Sequence, residues 1–191
     1  MTRPTAAQAL YGVTVMLVLA AFVHLLVVWL VPRYATRDAY SGIARLAPGD
    51  ETVVVSSGGD AQDTFPFLDP ATPGAVCRYD LSRGPARIVL PMGRPGFLSL
   101  SLHAANGIAF FALTDRAALA GKIQAVLVTA AQLKALQAHD DEDNPSQDLR
   151  ILAPAEGGFA FARALAETPS LTAEAQAAAK ALRCQVEATP G

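Results

Sequence analysis

The chain has 191 residues, 52% hydrophobic and 17% charged, with a net charge of −2 and no basic cluster. That balance excludes a nucleic-acid surface, which needs a concentrated positive footprint. Leu, Val, Ile and Phe recur along the whole length, which excludes a disordered chain. The roughly 160 residues after the first apolar segment suffice for one domain, not two.

The first element is the run Ala9–Val31, which holds no charged residue. As a helix it is about 34 Å long, enough to cross a hydrocarbon core of about 30 Å. Fourteen of its residues are Leu, Val or Phe, each favouring insertion by roughly 0.3–0.6 kcal/mol near the bilayer centre. Their sum outweighs Thr14 and His24. Trp29 and Tyr34 stand where an interfacial aromatic belt is expected, Arg33 and Arg37 can reach headgroups, and Pro32 is expected to end or kink the helix. A cleaved signal peptide has a shorter apolar core and a small-x-small site, and Leu30-Val31-Pro32-Arg33-Tyr34 offers none. The run is therefore read as an uncleaved anchor. His24 is formally a site candidate within a span, but an imidazole in a helix contact or facing lipid is the simpler reading. Arg33, Arg37 and Arg45 outnumber Arg3 and point the following domain toward the cytoplasm, although long domains are translocated largely regardless of flanking charge.

The expected organisation is a short tail (1–8), the anchor (9–31), a juxtamembrane stalk (32–48) and a globular domain (49–191). In the stalk, Tyr40, Ile43 and Leu46 recur at intervals of three on one helical face, and Pro48-Gly49-Asp50 ends it. Thr52–Val55 reads as a strand. Ser56 to Asp63 is a polar loop, with turns at Asp69-Pro70 and Pro73-Gly74.

Four strand-like runs follow, at 76–81, 86–90, 97–104 and 109–113. Asn106-Gly107 between the last two predicts a two-residue type I′ hairpin. That loop would set His103 opposite Phe110, Leu102 opposite Phe111 and Leu100 opposite Leu113. Period-two alternation places Leu98, Leu100, Leu102, Phe111 and Leu113 on a core face and Ser99, Ser101, His103 and Phe110 on a wetter one, as an antiparallel meander allows. Ala125–Val128 reads as a strand. Thr129 can cap a helix Ala130–Ala138 whose Leu133 and Leu136 pack inward. Leu149–Leu152 and Gly158–Leu165 are strands, and Thr172 caps a last helix reaching about Arg183, with Cys184 near its end.

Chemical signatures are sparse. A nucleophile elbow, a phosphate-binding Gly-rich loop, a His-Glu-x-x-His helix and an EF-hand loop are all absent. Ser99, Ser101 and His103 share a strand face, but side chains about 7 Å apart along one strand do not bring a nucleophile within the roughly 2.6–3.2 Å of its base. His139 to Asp143 lacks the ligand alternation and central glycine of a calcium loop and reads as a solvated acidic turn. Asp80 and Asp115 beside arginines read first as turn residues, and Phe65, Phe67, Phe97, Phe110, Phe111, Phe159 and Phe161 as core or sheet-face residues. The candidate site residues are Asp80, His103 and Asp115, with no catalytic role assigned to any of them. No cofactor or metal site is expected. Cys77 and Cys184 are too few for a structural zinc site; they either pair across a long loop, worth about 4–5 kcal/mol, or are two separate thiols.

The stretch Cys77-Arg78-Tyr79-Asp80-Leu81-Ser82-Arg83-Gly84-Pro85, the Phe97–Leu102 strand, the hairpin after it and Asp115-Arg116 resemble the DUF1254 domain, a family of unknown function. Pro32–Tyr40 and the closing Arg183-Cys184 are similar to a small membrane-anchored branch of that family in Gram-negative bacteria. The resemblance implies a β-rich domain and an envelope location, with no activity to transfer. It also favours pairing of Cys77 with Cys184, and hence the periplasm.

The sequence thus leads to an α+β protein: one N-terminal transmembrane helix, then a mostly antiparallel, meander- or sandwich-like sheet domain with two or three helices. Its expected function is that of a non-catalytic binding or accessory protein of the bacterial inner membrane. Its partners would be the bilayer and another membrane or envelope protein, not nucleic acid. The alternative is an envelope enzyme whose site is assembled from residues distant in sequence.

Overall fold

A computed structural model describes residues 5–34, 39–49, 51–57, 65, 67–93, 96–140, 146 and 148–187. The chain divides into two compact units, Met1–Arg37 and Asp38–Gly191.

The first unit is the helix α1, Ala6–Tyr34. It starts before the apolar run because Thr5 and Gln8 close a capping box: Gln8 N–H donates to Thr5 Oγ1 at 3.4 Å and Thr5 N–H to Gln8 Oε1 at 3.0 Å. Within it, Ala6–Val31 is long and apolar enough to cross a membrane. Thr14 turns its hydroxyl onto the Leu10 carbonyl at 3.0 Å, so its polarity is satisfied inside the helix. Pro32 does not end the helix, which runs on to Tyr34.

The second unit holds two sheets. Sheet A has the order β1 (Val53–Val55), β2 (Gly74–Asp80), β8 (Gly157–Ala164), β4 (Leu98–Ala104), β5 (Ala109–Thr114). Sheet B has the order β7 (Arg150–Leu152), β6 (Lys122–Val128), β3 (Ala86–Pro91), β9 (Arg183–Val186). All pairings are antiparallel except β6 with β7. Three further helices complete the described part: α2 (Ala39–Leu46), α3 (Ala130–Ala138) and α4 (Thr172–Lys180). This is the mixed, antiparallel-rich α+β class that the periodicities imply.

The inner faces of both sheets share one core, which includes Cys77, Tyr79, Leu100 and Leu102 from sheet A and Ile88, Leu90, Ile123 and Leu127 from sheet B. Ala175 and Ala179 of α4 belong to the same core. Cys77 on β2 is bonded to Cys184 on β9, so a disulfide spanning 107 residues joins the two sheets.

Several details depart from the sequence-based expectation. The four runs do not form a continuous meander: β2 and β3 lie in different sheets, and β8 inserts between β2 and β4. Asp80 to Gly84 is a corner between the sheets rather than a hairpin turn. There Asp80 caps the short 3-10 turn Leu81–Arg83, and Gly84 takes φ 142°. The β4–β5 hairpin exists, with Leu102 opposite Phe111 and Leu100 opposite Leu113, but His103 faces Ala109. Gly107 N–H bonds to Ala104 O and Ala104 N–H to Ile108 O, and Gly107 alone of the Asn-Gly pair has positive φ. The loop is therefore a three-residue turn with Gly107 at the left-handed position. A register shift skips Phe110 and turns it toward the core it was not expected to reach.

The last helix ends at Lys180, and Arg183–Val186 is a strand that carries Cys184. Its N-cap is Leu171 rather than Thr172, without a side-chain cap. Helix α3 begins as expected, with Thr129 and Gln132 forming a capping box, but Leu133 and Leu136 are only half-buried. The expected stalk contains α2, whose Ile43 is 4% exposed and joins Val55, Val76 and Phe159 in a second, smaller core. Phe67 and Phe97, expected in the core or on a sheet face, are 98% and 49% exposed.

Candidate functional site

Strand β8 reads Gly-Gly-Phe-Ala-Phe-Ala-Arg-Ala. Alternation puts its alanines on the inner face, where Ala160, Ala162 and Ala164 are buried. Phe159, Phe161 and Arg163 go to the outer face. The antiparallel register then builds three rows across that outer face. Arg78, Phe159 and His103 form the first, Val76, Phe161 and Ser101 the second, and Gly74, Arg163 and Ser99 the third. Gly74 leaves room for the Phe161 ring: a Cβ there would lie 2.4 Å from it.

Helix α2 and the residues Phe65 and Leu68 pack over part of these rows. They leave a cavity of about 240 Å³ lined mainly by Ile43, Val55, Phe65, Leu68, Val76, Phe159 and Phe161, with His103, Gly107 and Arg163 at its polar margin. A hollow of similar size, about 270 Å³, lies between Phe97 and α4, where Glu174 is the charged residue of the lining. The cavity under α2 is the better site candidate because apolar walls there meet a cation and a hydrogen-bonded imidazole.

His103 is held on three sides. Its ring lies 4.7 Å from that of Phe159 at an interplanar angle of 4°. Its Nδ1 is 3.1 Å from the Gly107 carbonyl, which can only accept, so Nδ1 carries the proton. Its Nε2 is 2.9 Å from Ser101 Oγ. The expectation that strand spacing keeps Ser101 and His103 apart is therefore overturned: the imidazole leans along the strand and closes the gap. Ser101 Oγ also lies 3.3 Å from the Phe161 carbonyl. The main chain under His103 is pinned from the core side, where the Tyr79 hydroxyl donates to the His103 carbonyl at 3.0 Å. Burial, followed by the neighbouring Tyr40, pushes the Tyr79 hydroxyl far above its ordinary pKa. Gly158 permits this contact, since a Cβ would come within 2.2 Å of both the Tyr79 hydroxyl and the His103 carbonyl.

Two arginines share the face. Arg163 places its guanidinium 4.5 Å from the Phe161 ring centre, a cation–π contact, and no carboxylate among the described residues pairs with it. Arg78 lies 5.0 Å from the Tyr40 ring centre and donates to its hydroxyl at 3.0 Å. The buried Arg78 Nε has no hydrogen-bond partner among the described residues.

The three residues singled out from the sequence do not converge. Asp80 accepts from Ser82 N–H at 3.0 Å and from Ser82 Oγ at 2.7 Å; the side-chain bond, then the backbone one, holds its carboxyl below the usual range. Asp115 opens a 3-10 turn beyond β5, six residues and about 20 Å of strand from the position opposite His103. Only His103 belongs to the cavity. His139 bonds to the Ala135 carbonyl at 2.8 Å and Asp140 pairs with Arg150 at 2.6 Å, whereas residues 141–143 of that acidic turn lie outside the described residues. Among the described residues no three His, Cys, Asp or Glu side chains gather as a metal site.

Sequence reasoning missed Phe159, Phe161 and Arg163 as one surface. The signal was present, because large side chains alternate strictly with alanine along β8.

No protein-family model matches the chain, and no match was found among curated proteins. Among solved structures, the VPA0106 protein from Vibrio parahaemolyticus is similar, with a TM-score of 0.54 at 12% identity over 80% of this chain. An uncharacterised protein from Burkholderia cenocepacia overlaps 78% of the chain at 14% identity, with a TM-score of 0.44. This chain spans 35% and 40% of their respective lengths, and at such identity the first likeness extends to the fold alone.

Proposed function

We propose that this protein is a membrane-anchored binding module of the bacterial envelope, belonging to the small anchored branch of the DUF1254 family. Its working surface is the cavity on the outer face of sheet A. The observation that carries this reading is an apolar hollow of about 240 Å³ on a sheet face that also presents a cation, Arg163, paired with no carboxylate among the described residues. α1 ties the domain to the inner membrane, and the Cys77–Cys184 bond supports a periplasmic domain, since such bonds persist in oxidising compartments. Another envelope protein is the proposed partner that delivers or receives the bound molecule.

The test uses the full chain in lipid nanodiscs, with Ile and Val methyl groups observed by NMR. Hexanol is expected to shift the signals of Ile43, Val55 and Val76, and Val76→Trp, which fills the hollow, to abolish the shifts of Ile43 and Val55. Wild-type signals that stay unmoved at saturating hexanol would sink the proposal.

One observation favours a second reading. Ser101, His103 and the Gly107 carbonyl form a chain of nucleophile, base and orienting group, the arrangement that activates a serine for acyl transfer. A fluorophosphonate probe that labelled Ser101 in the wild type and failed on His103→Ala would establish the enzyme and displace the binding module.

A further inference from the structure

We infer that the ligand of this cavity is a monoanionic amphiphile, a carboxylate on a short alkyl tail, with Arg163 holding the head and the phenylalanine-lined hollow taking the tail. The inference rests on the binding reading above and adds the chemistry of the ligand.

Size sets the tail. At about 240 Å³ the hollow falls below the roughly 300–1,000 Å³ of drug-sized sites, so it suits one short chain. Its walls at Ile43, Val55, Val76, Phe159 and Phe161 offer a tail no hydrogen bond. They favour it through contact area alone, at roughly 25 cal/mol per Å² removed from water.

Charge sets the head. The titratable groups facing the hollow among the described residues are His103 and Arg163. Both ring nitrogens of His103 are committed, one to Gly107 and one to Ser101. Arg163 is the cation left over. Phe161 orients its guanidinium without neutralising it, and a guanidinium presents a planar fork that matches a carboxylate. A single fork balances one negative charge. The opposite pattern holds for Arg87 and Arg150, which are fixed by carboxylates of the same chain.

The full chain in zwitterionic nanodiscs, with free ligand fixed by dialysis, separates these claims through a matched set: hexanoate, hexanol, hexylammonium and hexyl phosphate. Hexanoate is expected to move the Ile43, Val55 and Val76 methyl signals with about fivefold higher affinity than hexanol, the gain from one solvent-screened ion pair. Hexylammonium is expected to bind more weakly than hexanol. Arg163→Gln is expected to erase the preference for hexanoate over hexanol. Equal affinities of hexanoate and hexanol, or a preference that survives Arg163→Gln, would overturn the assignment of the head while leaving the cavity reading intact. Hexyl phosphate binding tighter than hexanoate would overturn the carboxylate. Silence of all three methyl signals toward every probe would overturn the cavity reading itself.

Discussion

The outer faces of the two sheets both carry arginines on central strands, and the two have opposite surroundings. On sheet B, Arg87 is gripped by Asp148, at 2.8 and 2.9 Å, and by Glu187. Gln124 donates to the same Asp148 carboxylate at 3.0 Å, and Arg150 on the adjoining β7 is held by Asp140. On sheet A, Arg163 lies on an aromatic ring with no acid beside it among the described residues, next to an apolar hollow. A face whose charges are paired internally has nothing left to offer a ligand. A face that leaves a cation unpaired among the described residues, beside an apolar hollow, forgoes such pairing, and that asymmetry is the ground for the proposed working surface.

The largest expected effect comes from cutting what joins the two sheets. Cys184→Ser removes a link that closes more than a hundred residues, and the chain-entropy account assigns about 4–5 kcal/mol to such a loop. The urea midpoint of the full chain is expected to fall accordingly, and reductant is expected to bring the wild type down to the level of the variant. A loss under about 1 kcal/mol would mean that the shared core alone holds the sheets together.

A smaller effect is expected within sheet B. Arg87→Met should cost about 1–2 kcal/mol, the range for part-exposed charge-assisted hydrogen bonds after solvent screening. The hydrogen bonds from Arg87, ahead of its Coulomb attraction, lower the Asp148 pKa. A carboxylate with a depressed folded pKa stabilises fully above its unfolded value of about 3.9 and loses that stabilisation as pH falls through the folded value. Wild-type stability should therefore drop below about pH 4, and the drop should be shallower in Arg87→Met. Parallel pH profiles for the two proteins would show that the network contributes little.

Why the proposed working face was hard to read from the sequence follows from what periodicity encodes. Alternation assigned Leu98, Leu100 and Leu102 to the core face and Ser99, Ser101 and His103 to the other, and the Asn106-Gly107 turn marked the β4–β5 hairpin; both features depend on residues close in sequence. Alternation does not say which strand lies next door. The insertion of β8 between β2 and β4 depends on pairing across more than fifty residues, so the row Arg78–Phe159–His103 had no local signature. The roof over the cavity was legible as an amphipathic helix in the Tyr40, Ile43, Leu46 spacing, but not as part of the folded unit. At the other end, the alanine run of α4 concealed a strand. Yet Cys184 and Val186 alternate with Arg183 and Gln185, a period of two that the helical reading overrode.

The smallest expected effect is the sharpest test of the comparison. Arg163→Met removes a cation whose one partner among the described residues is an aromatic ring, and methionine keeps much of the apolar contact with that ring. Its effect on stability should stay within about 0.5 kcal/mol, as for surface positions free of paired charges, and it should not change with pH between 4 and 8. The contrast with Arg87→Met is then the measurement: the same substitution on two sheet faces, costly where carboxylates close around the guanidinium and nearly silent where no carboxylate among the described residues does. Equal losses at the two positions would mean that Arg163 has a structural partner after all, and the outer face of sheet A would lose its claim to be held open for a ligand.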